Sequence, residues 1–156
     1  MLYIVPSTII ITKDFNKTSI TGIFNMAIYK TKVFERWASK EEFDDKVFCK
    51  AVQEMTESLF DADLGGGLFK KRIARQGRGK SGGYRTLVAT NKGDQWFFVF
   101  GFPKNARGNI NNVEEKALKM YANQLLSYTQ TAIDQLTNDG KLIRVECNEK
   151  SEIRNS

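Results

Sequence analysis

The chain has 156 residues, 41% of them hydrophobic and 27% charged, with 24 lysines and arginines against 18 acids for a formal charge of +6. That length supports one substantial core rather than two ordinary domains, and the composition excludes wholesale disorder and fibrous repeats. The chain has no histidine, so acid–base chemistry falls to lysine, arginine, tyrosine or carboxylates.

Residues 1–28 read as an N-terminal extension of uncertain structure. Ile9, Ile10 and Ile11 have strand character, and residues 20–29 suit either a strand or a short helix. The segment lacks the basic, apolar, small-residue order of a secretory signal, and no stretch is long enough to span a bilayer, so a cytoplasmic protein is expected. One domain is expected over residues 29–147, followed by a polar tail at 148–156.

Residues 30–36 suit an opening strand, and Ser39 with Glu42 three positions later fits a helix capping box. From residue 40 to 59, Phe43, Val47, Ala51, Met55 and Leu59 recur every fourth position, with Phe48 and Val52 widening the stripe. This spacing predicts an amphipathic helix. Gly65, Gly66 and Gly67 end it in a tight connection. Cys49 and Cys147 stand alone in the sequence and read as reduced, structural residues.

Strands are expected at 68–74, 84–90 and 95–102, with a loop at 76–83 and a turn bending at Gly93. Trp96, Phe97, Phe98, Val99 and Phe100 are apolar toward both faces, which places their strand centrally in the sheet. A second helical stripe uses Val113, Ala117, Leu118, Tyr121, Leu125 and Leu126, and extends through Ile133 and Leu136 to the stop at Asp139 and Gly140. A short strand at 142–145 closes the chain. The expected class is α+β: a compact domain with a small antiparallel sheet packed against amphipathic helices.

Charge is unevenly spread. Residues 70–107 carry ten bases and one acid, Asp94, whereas residues 35–63 carry nine acids and four bases. The run KKRIARQGRGKSGGYR at 70–85 combines cations that meet phosphates, glycines that let backbone approach a polyanion, and Tyr84, which either stacks on a base or packs on the core. GRGKS within it is not a Walker loop, because the leading glycine is missing and strands, not a strand and a helix, flank it. No cofactor or metal site is indicated.

The order of Gly67-Leu68, the basic strand, GRGKSGGYR, the aromatic strand and Phe102-Pro103-Lys104-Asn105 resembles the RelE/ParE superfamily of bacterial toxins, most closely its HigB-like RelE branch. The resemblance covers about residues 30–127. It implies a type II toxin that cleaves messenger RNA on the ribosome without metal, through attack of a 2′-hydroxyl on the adjacent phosphate. It also implies a cognate antitoxin, the ribosome with its message, and higher-order toxin–antitoxin assembly as partners.

On that resemblance Arg72, Arg75, Arg85 and Lys104 are the catalytic candidates. Arg85 clamps the reacting phosphate, Arg72 and Arg75 position substrate, and Lys104 acts as a base or as a fixed charge. Lys71, Arg78, Lys80, Tyr84, Asn105 and Arg107 are the RNA-binding candidates. Strand alternation turns Lys71 away from Arg72, so Lys71 takes the catalytic place if the register differs by one. No tyrosine follows Lys104 and Asn105 where better-known members have one, and Tyr121 reads as a core residue. A gyrase inhibitor of the ParE type and a noncatalytic RNA-binding protein are the alternatives.

Overall fold

The computed structural model describes residues 26–74 and 83–147. In chain order it runs β1 (Ala27–Thr31), α1 (Lys32–Lys40), α2 (Asp45–Thr56), β2 (Ala62–Gly65), β3 (Leu68–Ile73), β4 (Tyr84–Thr90), β5 (Gln95–Pro103), α3 (Asn112–Ser127), α4 (Gln130–Asn138) and β6 (Leu142–Arg144). The strands form one sheet in the order β2-β3-β4-β5-β1-β6. The class is α+β with a sheet packed against helices. The sheet is mixed rather than wholly antiparallel, since β1 runs parallel to β5. Helices cover both of its faces: one core joins α1 and α2 to Ile28, Phe69, Val88, Trp96 and Phe98, and the other joins α3 and α4 to Tyr29, Leu68, Leu87, Phe97 and Val99.

The first helical layer departs from the expected pattern. The strand expected at 30–36 ends at Thr31, whose hydroxyl accepts the Phe34 N–H at 3.2 Å and starts α1 instead. Phe34 and Ala38, one turn apart, are buried while Val33 is 56% exposed, so the helical period wins over the strand reading. Ser39 lies inside α1 rather than capping a helix. Glu42 takes a φ of +59°, which breaks the chain between α1 and α2, and Asp44 supplies the cap by accepting the Lys46 N–H at 3.1 Å. The helix then stops at Thr56, leaving Leu59 54% exposed.

Cys49 and Cys147 are not free thiols: they form a disulfide across 98 residues, with Cα atoms 5.8 Å apart. Isolation in sequence hid the pairing. The link ties α2 to the segment after β6, where Val145 joins the same core.

The glycine connection is itself structured. Ala62–Gly65 forms edge strand β2, and Gly67 turns the chain into β3 at φ +82°. The left-handed backbone favours glycine there, and a Cβ would also crowd the Leu126 side chain and the Thr90 carbonyl oxygen. Strands β4 and β5 fall where the periodicity places them, and β5 lies between β4 and β1 inside the sheet.

The expected long second helix is two. Tyr128 is extended, and Thr129 caps α4 by accepting the Ala132 N–H at 3.1 Å. The buried stripe of α3 runs through Ala122 and Leu125, leaving Val113 79% exposed and Tyr121 at the surface rather than in the core. Among the described residues, no helix is long and apolar enough to cross a membrane.

Candidate functional site

Alternation along β3 and β4 sorts the basic residues onto two faces. Leu68 and Leu87 belong to the core under α3, so Arg72 and Arg85, even steps away from them, take the same side. Arg72 and Arg85 are direct cross-strand partners, which puts two guanidinium groups on neighbouring strands. Like charges opposite one another are destabilising unless something anionic joins them.

A register shift makes the third side of the site. Leu87 pairs with Phe100 but Val88 pairs with Phe98, so β5 carries an extra residue at Val99. The bulge reverses the alternation beyond it. Gly101 consequently faces α1, where a Cβ would run into the Trp37 ring, and Phe102 faces the α3 side opposite Arg85. The Arg85 Nε is buried and has no hydrogen-bond partner among the described residues. A buried donor left unpaired costs stability and marks a place where a ligand or a change of state can satisfy it.

The segment after β5 closes over this end of the sheet. The Lys104 N–H donates to the Gly83 carbonyl at 2.9 Å, and Ala106 turns back onto Pro103 at 3.1 Å, so exposed Lys104 and Asn105 stand beside the entrance to β4. The Arg107 guanidinium lies 5.2 Å from the Phe102 ring centre and is held by both carboxylate oxygens of Glu114, with Nη1 to Oε2 at 3.0 Å. Arg107 Nε also donates to the Asn109 carbonyl at 3.1 Å. Glu114 accepts the Asn111 N–H at 2.9 Å while Asn111 Oδ1 accepts the Glu114 N–H at 2.8 Å. Those bonds, from Arg107 first and Asn111 second, hold the Glu114 carboxyl below the usual range, and Glu114 in turn raises Arg107.

Arg72, Arg85, Lys104, Asn105 and Arg107 are therefore gathered at one end of the α3 face. Lys71 and Tyr84 are not. Lys71 is only 8% exposed on the opposite face, bonded to Glu54 at 2.8 Å and to the Leu59 carbonyl at 2.9 Å. Tyr84 is buried among Trp37 and Phe43, with its hydroxyl donating to Glu41 at 3.0 Å. Both secure the α1/α2 layer, so the register that would have made Lys71 catalytic does not occur. Arg75, Arg78 and Lys80 lie outside the described residues. Sequence reasoning passed over Lys70, which shares the face of Arg72, and Glu114, whose spacing from Asn111 is that of a capping box.

Among the described residues, no group of three or more cysteines, aspartates and glutamates is placed to hold a metal ion. The cluster can gather and neutralise phosphate charge. No curated relative matches the sequence. The family model described as the RelE toxin of the RelE/RelB toxin–antitoxin system matches residues 26–145, which takes in every described strand and helix. The chain belongs to the RelE toxin family, whose toxins are paired with an antitoxin.

Proposed function

We propose that this chain is the toxin of a HigB-like type II system and cleaves messenger RNA on the ribosome. The observation that carries the reading is the cross-strand pair of Arg72 and Arg85, with the Arg85 Nε buried and without a partner among the described residues and with Phe102 as its register partner in β5. Two arginines in this arrangement suit a phosphate oxygen, since guanidinium forks match phosphate geometry.

In the proposed reaction the RNA 2′-oxygen bonds to the adjacent phosphorus and the bond from phosphorus to the 5′-oxygen breaks. The 2′-hydroxyl proton leaves to a base, and the departing 5′-oxygen takes up a proton. The products are a 2′,3′-cyclic phosphate and a 5′-hydroxyl end. Arg85 and Arg72 hold the phosphate and offset the charge that builds on it, with Arg75 alongside them in substrate positioning. Lys104 adds a further cation from the end of β5 beside the start of β4. Asn105 contacts a base, and Arg78 and Lys80 contact the RNA backbone. Arg107, already joined to Glu114, shapes the Phe102 shelf. The scheme runs on these side chains without a metal, and the cationic face is also the surface an acidic antitoxin segment would cover.

The test maps message 5′ ends in a purified translation reaction with and without ribosomes. New 5′-hydroxyl ends that require both ribosomes and this protein support the reading. Intact message at saturating protein overturns it and favours gyrase inhibition or noncatalytic binding.

A further inference from the structure

The sequence has two cysteines, and they are joined to each other. The chain carries no third thiol to open the bond, so its state is set by thiols and disulfides supplied from outside. Both residues sit at the rim of the α1/α2 core, partly exposed and packed against it rather than buried within it. A disulfide in that position is open to attack by a small thiolate while the protein stays folded.

The clasp around the bond has a second, noncovalent part. Asp45 and Cys49 are one turn apart on α2, and both meet the segment that leaves β6. The Asp45 carboxylate binds the buried Lys30 ammonium through one oxygen at 3.1 Å and accepts the Glu146 N–H through the other at 3.1 Å. One residue earlier, the Val145 N–H donates to the Ile28 carbonyl at 2.8 Å, and the Val145 side chain is buried. Further along α2, Glu54 holds Lys71 of β3 at 2.8 Å. None of these ties involves sulfur, so opening the disulfide frees Cys147 and removes one anchor of α2 without dismantling the sheet. The open form also has a place for the Cys49 thiol, whose sulfur lies 3.8 Å from the Glu146 carbonyl oxygen, within reach of an S–H donor.

Closing the bond acts most strongly on the unfolded chain. It joins residues 98 apart, and the ring takes in β2 to β6 while leaving out β1 and α1. So long a loop, once closed, removes many unfolded conformations. The open chain regains them and populates unfolded states more, and those states are what proteases cut.

We infer that the Cys49–Cys147 bond is a reversible thiol–disulfide lock that sets the lifetime of the folded chain and leaves the face of Arg72 and Arg85 unchanged. In the opening step a thiolate of an external dithiol bonds to one sulfur as the S–S bond breaks. The other cysteine leaves as a thiolate and takes a proton from water. The dithiol's second thiol, after losing its proton, displaces the first cysteine, which is protonated in turn. Two electrons pass to the cysteine pair, and the dithiol ends as its own disulfide. A small external disulfide closes the lock by the reverse exchange and is itself reduced to two thiols.

The experiment follows the oxidised full chain under native conditions over a series of dithiothreitol concentrations. Samples are quenched with iodoacetamide, and alkylated cysteines are counted by mass spectrometry. The rate of reduction is expected to rise in proportion to dithiothreitol and to exceed the global unfolding rate, measured by tryptophan fluorescence in the same buffer. The reduced protein is expected to keep its near-ultraviolet circular dichroism, and oxidised glutathione to restore the bond. Amide exchange should quicken along α2 and β6 but not at Arg72 and Arg85. A broad-specificity protease should digest the reduced chain on the order of 30-fold faster than the oxidised one. Cys49→Ser/Cys147→Ser should be digested at the reduced rate with or without dithiothreitol.

Reduction that levels off at the global unfolding rate overturns the lock and makes the bond a permanent staple. A reduced protein that loses its tertiary signal without denaturant, or is digested no faster than the oxidised form, overturns it as well. Message cleavage enters none of these readouts, so the nuclease reading stands or falls separately.

Discussion

Lys71 and Arg72 are neighbours in β3, yet they do opposite work. Lys71 points into the α1/α2 layer and spends its charge on Glu54 and the Leu59 carbonyl. Arg72 points to the other side, exposed and opposite Arg85, with only its backbone N–H engaged, by Asp61. The same division holds across β4, where Tyr84 is bonded to Glu41 and Arg85 keeps a buried donor unpaired. On one face of the strand pair the polar side chains are bonded within the fold, although the Trp37 Nε1 packed against Tyr84 also lacks a partner among the described residues, and the other face carries charge with no ion-pair partner among them. Burial with a partner makes a cation structural, whereas crowding without one makes it available to a ligand.

The largest effect is expected on the unpaired face. In the proposed reaction Arg85→Ala removes a donor from the phosphate, so the rate of ribosome-dependent cleavage should fall by about 10²- to 10³-fold. Thermal unfolding should change little, because the removed Nε has no partner to lose. A matching loss of Tm would make Arg85 structural and erase the contrast with Lys71.

On the satisfied face the expected losses are in stability. Cys147→Ser opens a link spanning 98 residues and should lower unfolding free energy by roughly 2–4 kcal/mol, measured by denaturant titration without reductant. Gly101→Ala forces a methyl group against Trp37 and should cost about 1–3 kcal/mol. If the displaced ring also shifts Phe102, cleavage will fall with stability and the two faces are coupled through β5.

The smallest effect concerns the tie between Arg107 and Glu114. Because the folded Glu114 pKa is lowered from 4.5, its contribution is present above that value and fades as pH falls through the lower folded value. Hydrogen exchange at the Asn111 and Glu114 amides should therefore stay slow from neutral pH to about 4.5, after correction for intrinsic rates, and quicken in stronger acid. Glu114→Gln should remove that acid dependence.

Much of the sheet was legible because its strands announce themselves by composition. The run at 96–100, apolar toward both faces, reads as a central strand, and the turn signal at Gly93 separates it from the strand at 84–90. The helices were harder. Val33 and Phe34 fit a strand or a helix equally until the Thr31 cap decides, and the stripe from Phe43 to Leu59 gives no sign of the left-handed Glu42 or Ser58.

The site divided along the same line. Period-two alternation separated Lys71 from Arg72 in advance, but nothing local showed the extra residue in β5 that turns Phe102 toward Arg85. The pairing of Cys49 with Cys147, and of Arg107 with Glu114, depends on chain segments brought together only by folding.

The central claim is that function lies on one face of β3 and β4 and stability on the other. Its most direct test measures message cleavage on ribosomes and thermal unfolding with the same preparations of Arg85→Ala and Lys71→Met. The account predicts that Arg85→Ala keeps its Tm and yields almost no 5′-hydroxyl ends, while Lys71→Met unfolds at lower temperature and still cleaves below that temperature. Cleavage abolished by Lys71→Met in a folded protein, or preserved in Arg85→Ala, would contradict it.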